Sequence, residues 1–351
     1  MKYPAVLNFA TLLPTLDEFD TIIDARSESE FALDHLPGAI NCPVLDDAQR
    51  ILVGTTYRQV GAFEAKKLGA PMVAANIARH IATLFADKPK EWKPLVYCWR
   101  GGNRSGSMAL IFAKIGWPVV QLEGGYRDFR AYVAADLEQA PALDLRVVCG
   151  TTGSGKTRLL QTLDGIGAQV LDLEGLAAHR GSVLGHLPGA PQPSQKAFET
   201  AIWERLRRFD PSRPVFVESE SKKVGNLRVP GALMEHMRAA PCIALELAQQ
   251  DRVALLVEDY RHFVNDPAAL NGQLEHLVQL HGRAQIAAWH ELANTGRMED
   301  LVDQLLVRHY DPAYLKSIDR NFVQYPQAHI VRLAGIAKGD FLAVARALHA
   351  G

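Results

Sequence analysis

The segment GTTGSGKT, from Gly150 to Thr157, constrains the fold of this 351-residue chain more than any other. It fits the pattern G-x-x-x-x-G-K-[S/T] without a mismatch, and it lies between an apolar strand pattern and an amphipathic helix pattern. Glycines at these positions let successive backbone N–H groups point into one hollow, and the N-terminus of the following helix favours an anion there. The segment therefore predicts a P-loop that binds phosphate groups, in preference to a flexible glycine-rich turn.

Residues of this loop have distinct expected roles. Lys156 is predicted to reach the outer phosphates, and Thr157 to place its hydroxyl on Mg²⁺. Glu218, near the end of a strand pattern, is a candidate second metal ligand, although two solvated carboxylates, Glu218 and Glu220, would fit the sequence equally well. The predicted diphosphate-binding residues are Gly150, Gly153, Ser154, Gly155, Lys156 and Thr157.

Short apolar runs alternate with helical patterns along both halves of the chain, which predicts α/β folds with parallel sheets. The alternation lapses near Pro141, so we expect one domain over residues 1–140 and a second over 141–351. A largely helical block is expected at about 251–325. The predicted strands are 21–26, 39–44, 94–98, 118–125, 145–150, 168–175, 213–221, 241–247 and 328–335.

A second loop with anion-binding character is CWRGGNRS, which begins at Cys98. Its cysteine follows a strand pattern, and a helix pattern opens near Arg104. A thiolate at a helix N-terminus, beside backbone N–H groups and arginines, is a competent nucleophile. We therefore interpret Cys98 as catalytic and not as a buried structural cysteine, the usual state of a free cysteine. The residues expected to hold its anionic partner are Arg100, Gly101, Gly102 and Arg104.

Composition excludes several classes of protein. Hydrophobic residues make up 48% of the chain and charged residues 22%, as in ordinary globular domains. No apolar run approaches the roughly 18 residues of a membrane span, and the N-terminal segment makes a poor signal peptide. The four cysteines are scattered without a C-x-x-C pair, which argues against disulfides or structural zinc. We expect a cytoplasmic protein without a membrane partner.

The net charge of −1 lacks the basic excess of a general nucleic-acid binder, so a polyanion would need a local patch. The densest basic stretch runs from Arg205 to Arg228. On charge alone, a solvated helix face and loop is the favoured interpretation of that stretch. If nucleic acid does bind there, the expected contacts are Arg207, Arg208, Lys222 and Lys223.

The first half of the chain resembles the rhodanese family over about residues 10–132. The resemblance rests on Asp24-x-Arg26, on HLPGAIN at 35–41 and on the Cys98 loop. It implies a rhodanese fold in which Cys98 carries a persulfide or related adduct. The loop arginine, Arg104, lies six positions after Cys98, one more than in ordinary sulfurtransferases of this fold. Phosphatases that share the fold have such longer loops, so the departure implies a donor with a phosphate-like group and not thiosulfate.

The combination of both loops resembles the bacterial tRNA 2-selenouridine synthases over nearly the whole chain. The shared segments include NCPV, GAFEAKKLGAPMVAANI, DLEGLAAHRGSVLG and VFVESESKKVGN. The resemblance implies that the wobble 2-thiouridine of certain tRNAs is geranylated from geranyl diphosphate. Selenium from selenophosphate then displaces the S-geranyl group. The P-loop would bind the diphosphate, and Cys98 would take up selenium and pass it on.

Two other classes of function stay open from the sequence. One is a sulfurtransferase coupled to an ATP-dependent kinase or adenylating domain, which would require ATP hydrolysis for turnover. The other is a non-catalytic scaffold, against which the presence of Cys98 argues, because an inactive rhodanese domain can lose that residue at little cost.

Overall fold

The computed structural model describes residues 3–100, 102–182, 185 and 189–350. The chain forms two compact units. The first unit comprises Met1–Asp136 together with Ser194–Glu204, and the second comprises Leu137–Pro193 together with Arg205–Gly351. The sequence pattern predicts a boundary after residue 140, with residues 194–204 in the second domain, whereas in the structure this short segment packs with the first unit.

A five-stranded parallel sheet forms the centre of the first unit, in the order β1-β5-β4-β2-β3. Strand β1 was not predicted from the sequence. All its residues are exposed, so it lacks the buried apolar pattern that marks the other strands. The strands are β1 (Ala5–Leu7), β2 (Thr21–Asp24), β3 (Ala39–Asn41), β4 (Pro94–Tyr97) and β5 (Val120–Leu122).

Helices connect these strands, and their ends follow local sequence signals. At the start of α3, Asp46 and Gln49 form a capping box in which each side chain accepts a hydrogen bond from the other residue's backbone N–H. Helix α5 ends at Gly116, whose φ of 116° favours glycine. The helices are α1 (Phe9–Leu12), α2 (Glu28–Leu33), α3 (Asp47–Gln59), α4 (Ala62–His80), α5 (Asn103–Ile115) and α6 (Gly125–Leu137).

The second unit contains another five-stranded parallel sheet, in the order β12-β11-β6-β8-β7, and a two-stranded antiparallel ribbon. Every strand predicted for this half is present. The apolar run predicted as a strand over 168–175 is shorter, because Asp172 accepts a hydrogen bond from Gly175 N and caps a helix there. The strands are β6 (Leu145–Cys149), β7 (Gln169–Leu171), β8 (Val215–Glu218), β9 (Lys223–Val224), β10 (Leu227–Arg228), β11 (Cys242–Glu246) and β12 (His329–Arg332).

The predicted helical block is present and has its own core, in which Trp289 is fully buried. It extends from α11 to α17. The remaining helices are α7 (Lys156–Gly165), α8 (Leu173–Leu176), α9 (Gln195–Leu206), α10 (Gly231–Ala239), α11 (Gln249–Asp259), α12 (Arg261–Asn265), α13 (Pro267–Leu274), α14 (Val278–His281), α15 (Arg283–Asn294), α16 (Met298–Leu305), α17 (Asp311–Asn321) and α18 (Lys338–Ala350).

Helix α9 contributes the buried Trp203 to the first unit. Its ring packs edge-on against Phe129 at 5.8 Å between ring centroids, and its Nε1–H donates to Asp136 at 3.0 Å. On the same helix, Thr200 donates to the buried carboxylate of Asp34 at 3.1 Å. These contacts satisfy buried polar groups and close an aromatic cluster, which explains why this segment belongs with the first unit.

Among the helices of the described ranges, none combines the length and the apolar character needed to cross a membrane.

Candidate functional sites

Cys98 lies at the carboxyl end of β4, the middle strand of the first sheet, directly before the loop that leads into α5. The residue is 3% exposed. Its carbonyl accepts a hydrogen bond from Tyr126 N at 2.8 Å, and the carbonyl of Trp99 accepts one from Arg127 N at 3.0 Å. These two hydrogen bonds hold the end of β4 against the N-terminal turn of α6. The carboxyl ends of the strands form the edge of the sheet where ligands of parallel α/β folds bind.

The thiol of Cys98 belongs to a short hydrogen-bond chain that the sequence analysis missed. Ser105 donates from Oγ to Cys98 Sγ at 3.2 Å, and Gln121 Nε2 donates to Ser105 Oγ at 3.3 Å. The serine hydroxyl therefore points at the sulfur of Cys98. Burial and the nearby Asp24 raise the pKa of the Cys42 thiol to about 12, which is in keeping with a structural role for Cys42.

The two loop arginines differ in their surroundings. Arg104 forms an ion pair with Glu30 at 2.7 Å, while Arg100 is exposed. Burial of Glu30 opposes ionisation, but its bonds to Arg104 prevail and lower the pKa of Glu30. Gly102 lies at the N-terminus of α5, and Gly101 is outside the described residues. The acidic partner of Arg104 was not predicted, because Glu30 lies far away in sequence.

The P-loop has the predicted strand–loop–helix setting, between β6 and α7. Gly153 and Gly155 have φ angles of 77° and 87°, which favour glycine. A Cβ at Gly150 would lie 2.4 Å from Ser154 Oγ, so a side chain would not fit there. Ser154 is 1% exposed, and its Oγ is a buried oxygen without a hydrogen-bond partner among the described residues. The glycines therefore meet the geometric need of a phosphate-binding loop.

Lys156 is folded over its own loop. Its Nζ donates to Gly150 O at 2.6 Å and lies 5.6 Å from the ring centroid of Tyr314. Tyr314 Oη in turn accepts from Gly150 N at 2.6 Å. An anion that takes these positions must therefore displace the tyrosine hydroxyl and draw Lys156 away from the carbonyl.

Arg252, on α11, fixes the P-loop from the helical block. It donates to Thr152 O at 2.8 Å and forms an ion pair with Asp311 at 2.6 Å. The arginine is 6% exposed whereas Asp311 is partly exposed, so it is the charge of the arginine that is largely removed from bulk water and depends on this pairing.

Carboxylates surround Thr157, the predicted metal ligand. Thr157 donates from Oγ1 to Glu174 Oε2 at 2.9 Å, and Glu174 N donates to Glu218 Oε1 at 2.7 Å. Glu218 is 2% exposed, and its Oε2 is buried without a hydrogen-bond partner among the described residues. The structure thus brings Glu218 to Thr157 through Glu174, a residue that the sequence analysis did not single out.

These carboxylates disfavour one another's charge. Burial is the main cause that raises the pKa of Glu218 well above its ordinary value, and the nearby carboxylates of Asp172, Glu174 and Glu220 raise it further. Burial also raises the pKa of Glu220, together with the charge of Glu174, to about 8. Such a group of carboxylates is stabilised in its charged form by a cation placed among its oxygens.

A cavity of about 600 Å³ lies over the P-loop, within the second unit. The P-loop, residues of the helical block and four carboxylates form its walls; the carboxylates are those of Asp172, Glu174, Glu220 and Asp259. His179 and Arg180, from the segment DLEGLAAHRGSVLG, both line it. The volume is in the range of small-molecule binding sites.

The predicted nucleic-acid contacts lie on two surface segments of the second unit. Arg207 and Arg208 are in the turn that follows α9 and not on a helix, since α9 ends at Leu206. Lys222 and Lys223 are exposed at the start of the antiparallel ribbon, a few residues after Glu218.

Comparison with known proteins matches the two halves of the chain to two different family models. Residues 10–132 match the model of the rhodanese-like domain, and residues 143–281 match that of the tRNA 2-selenouridine synthase AAA domain. The tRNA 2-selenouridine synthase of Nitrosomonas europaea is 36% identical over 244 residues, which cover 68% of this chain and 63% of that protein. That of Chromohalobacter salexigens is 32% identical over 335 residues, covering 88% and 90%. The crystal structure of a rhodanese-related protein from Thermoplasma volcanium, 18% identical, covers 37% of this chain and 93% of that one with a TM-score of 0.25.

The folds and the two loops define a two-domain protein in which a rhodanese domain with its cysteine is fused to a P-loop domain. The relative from Chromohalobacter salexigens aligns over most of both chains. This chain belongs to the tRNA 2-selenouridine synthase family.

Proposed function

We propose that this protein converts the wobble 2-thiouridine of tRNA to 2-selenouridine in two steps, a geranylation and a selenium transfer. The observation that carries the proposal is the presence, in one chain of this family, of two separate loops with the sequence patterns of anion-binding sites, each at the end of a central parallel strand. One presents Cys98, and the other has the complete P-loop. Two loops suit a reaction that uses two different phosphate-bearing co-substrates.

In the first step the sulfur of 2-thiouridine attacks the carbon of geranyl diphosphate that carries the diphosphate. An S–C bond forms, the C–O bond breaks, and diphosphate leaves with the electron pair. Lys156 and the loop N–H groups stabilise the charge that grows on the leaving oxygen. Alkylation makes the sulfur a better leaving group for the second step. The cavity over the P-loop has room for the diphosphate and for carbon beyond it.

Mg²⁺ fits the oxygen-rich end of this cavity. Within the described residues, no three His, Cys, Asp or Glu side chains are grouped so that they alone could hold a metal ion. Magnesium in phosphate-transfer sites is typically held by one or two protein ligands together with substrate phosphates and water. The Thr157 hydroxyl lines the cavity and would be one ligand. The unpartnered oxygen of Glu218 would be the other; Glu218 does not itself line the cavity and is joined to Thr157 through Glu174, which does. The bound ion would neutralise diphosphate charge.

In the second step, selenophosphate binds at the Cys98 loop, and the Cys98 thiolate attacks its phosphorus. An S–P bond forms, the P–Se bond breaks and selenide leaves, after which water releases phosphate from the cysteine. Arg100, Arg104 and the loop backbone at Gly101 and Gly102 would hold the phosphate end. Glu30 orients Arg104, and the exposed Arg100 is available to the incoming anion. The selenide attacks C2 of the S-geranylated uridine, so that a C–Se bond forms, the C–S bond breaks and geranyl thiolate leaves.

Mass spectrometry of tRNA nucleosides, from cells with and without this protein, tests the proposal. We expect 2-selenouridine only in cells that have the protein and a selenium supply, and S-geranyl-2-thiouridine in selenium-starved cells that have it. If both nucleosides persisted without the protein, the proposed function would be wrong.

The tRNA itself is expected to bind through Arg207, Arg208, Lys222 and Lys223. Reversing all four to glutamate should weaken tRNA binding and flatten its salt dependence, because each lost phosphate contact removes about 0.7 to 0.9 from the log–log slope. Affinity for geranyl diphosphate should change little. Titrations of tRNA at two or more salt concentrations measure both quantities.

A matched control reverses four exposed lysines of the first unit, Lys66, Lys67, Lys90 and Lys114, which changes the net charge equally. The proposed tRNA site would be wrong if the salt-dependence slope were unaltered in the first variant, or if the control lost as much tRNA affinity. The tRNA would then be expected to bind at the rhodanese domain or at the helical block.

A further inference from the structure

A second, smaller cavity of about 60 Å³ lies in the helical block of the second unit. Helices α11, α12, α13 and α16 contribute to its walls, which are almost entirely hydrocarbon. Among the side chains that face it are Leu256, Val257, Phe263, Met298, Leu301 and Val302. A polar ligand would lose its hydration there without gaining hydrogen bonds, so the cavity suits an apolar group.

This apolar cavity adjoins the cavity over the P-loop. Five residues line both of them, and the P-loop itself supplies one of the five. The contact is close, since a Cβ built on Gly153 would lie 2.8 Å from Leu256 Cδ1. The shared residues are Thr152, Ser182, Leu256, Tyr260 and Tyr310.

The polar residues that line the apolar cavity all lie at its boundary with the cavity over the P-loop. Tyr260 and Tyr310 both interact with Ser182 there, and the guanidinium of Arg180 lies 4.7 Å from the ring centroid of Tyr260. Burial raises the pKa of both tyrosines, so their hydroxyls stay neutral. The combined space is therefore charged at the P-loop, hydroxyl-lined at the boundary and apolar beyond it.

We propose that this apolar cavity holds the linear prenyl chain of a diphosphate substrate whose head lies on the P-loop. The assignment rests on the function proposed above and adds the place where the hydrocarbon binds. A nucleotide would put a base and sugar next to the same loop, and these need hydrogen-bond partners that the apolar walls lack. The small volume suits a single short prenyl chain, so the cavity also limits chain length.

Val302→Phe tests the site, because Val302 is half-buried and its enlarged side chain would fill the cavity. We expect affinity for geranyl diphosphate to fall by about tenfold or more, which is the effect expected when about two methylene groups of the ligand are no longer buried. Affinity for inorganic pyrophosphate, which has no hydrocarbon, should stay within a factor of about two. Calorimetric titrations of both ligands with Mg²⁺ present give the comparison.

The matched control is Val278→Phe. Val278 packs partly buried against the same helical core and lines neither cavity. It should leave both affinities unchanged. As a variant that adds no bulk, Leu301→Ala should shift the preference from geranyl towards farnesyl diphosphate, since it lengthens the space available to the chain.

The site would be excluded if Val302→Phe weakened pyrophosphate binding as much as geranyl diphosphate binding, or if Val278→Phe had the same effect. It would also be excluded if the wild type bound geranyl diphosphate no more tightly than pyrophosphate. Selective binding of geranyl diphosphate without prenylation of tRNA would confirm the cavity and contradict the proposed function, so the two failures are distinguishable.

Discussion

Cys98→Ala is expected to abolish selenium incorporation into tRNA and to leave geranylation largely intact. The thiol is the only nucleophilic side chain proposed for the second step, and the first step takes place on the P-loop. The variant should therefore accumulate S-geranyl-2-thiouridine. Incubation of purified protein with tRNA, geranyl diphosphate and selenophosphate, followed by nucleoside mass spectrometry, measures both products.

Cys42→Ala is the appropriate control for this variant, because Cys42 is equally buried in the same core and is held as a neutral thiol. It should retain both activities. Loss of both products in a folded Cys98→Ala protein would show that the two loops do not divide the reaction as proposed. Ser105→Ala should slow only the selenium step, since the serine hydroxyl acts through the sulfur of Cys98.

Lys156→Ala should reduce geranylation by about 100-fold or more, the usual cost of losing one group that stabilises developing charge. Selenium transfer to chemically prepared S-geranyl tRNA should survive at least in part, since that substrate bypasses the first step. Single-turnover rates with each tRNA separate the two effects.

Lys338→Ala serves as the control here, because Lys338 is exposed and does not line the P-loop cavity. ATP hydrolysis by the wild type that is fast enough to drive turnover, and is lost in Lys156→Ala, would instead favour the sulfurtransferase coupled to an ATP-dependent domain.

Local patterns in the sequence predicted the fold class because both sheets are parallel and their central strands are buried. Their strands are short apolar runs between helical patterns, which the sequence displays directly. The P-loop was predicted for a similar reason, since its glycines and lysine are consecutive. Strand β1 lacks that signal because its residues are exposed, and its place in the sheet depends on pairing with β5.

Most of the missed features depend on residues that are distant in sequence. Nothing near Arg104 indicates that Glu30 holds it, and nothing near Thr152 indicates that Arg252 binds its carbonyl. Glu174 lies in a segment noted for the resemblance, yet only the folded chain places it between Thr157 and Glu218. Sequence motifs therefore located both loops, while the groups that tune them required the structure.

The chain passes between its two units three times, after Asp136, after Pro193 and after Glu204. A gene cut once near codon 140 would yield a first fragment without Trp203, leaving the faces of Phe9, Phe129 and Tyr132 uncovered. Exposed aromatic patches of this kind promote aggregation. The second fragment would carry α9 without the surface that orders it. To study the two half-reactions on separate polypeptides, two full-length variants are therefore needed, one inactivated at the Cys98 loop and the other at the P-loop. When the two are mixed, each supplies the step that the other lacks.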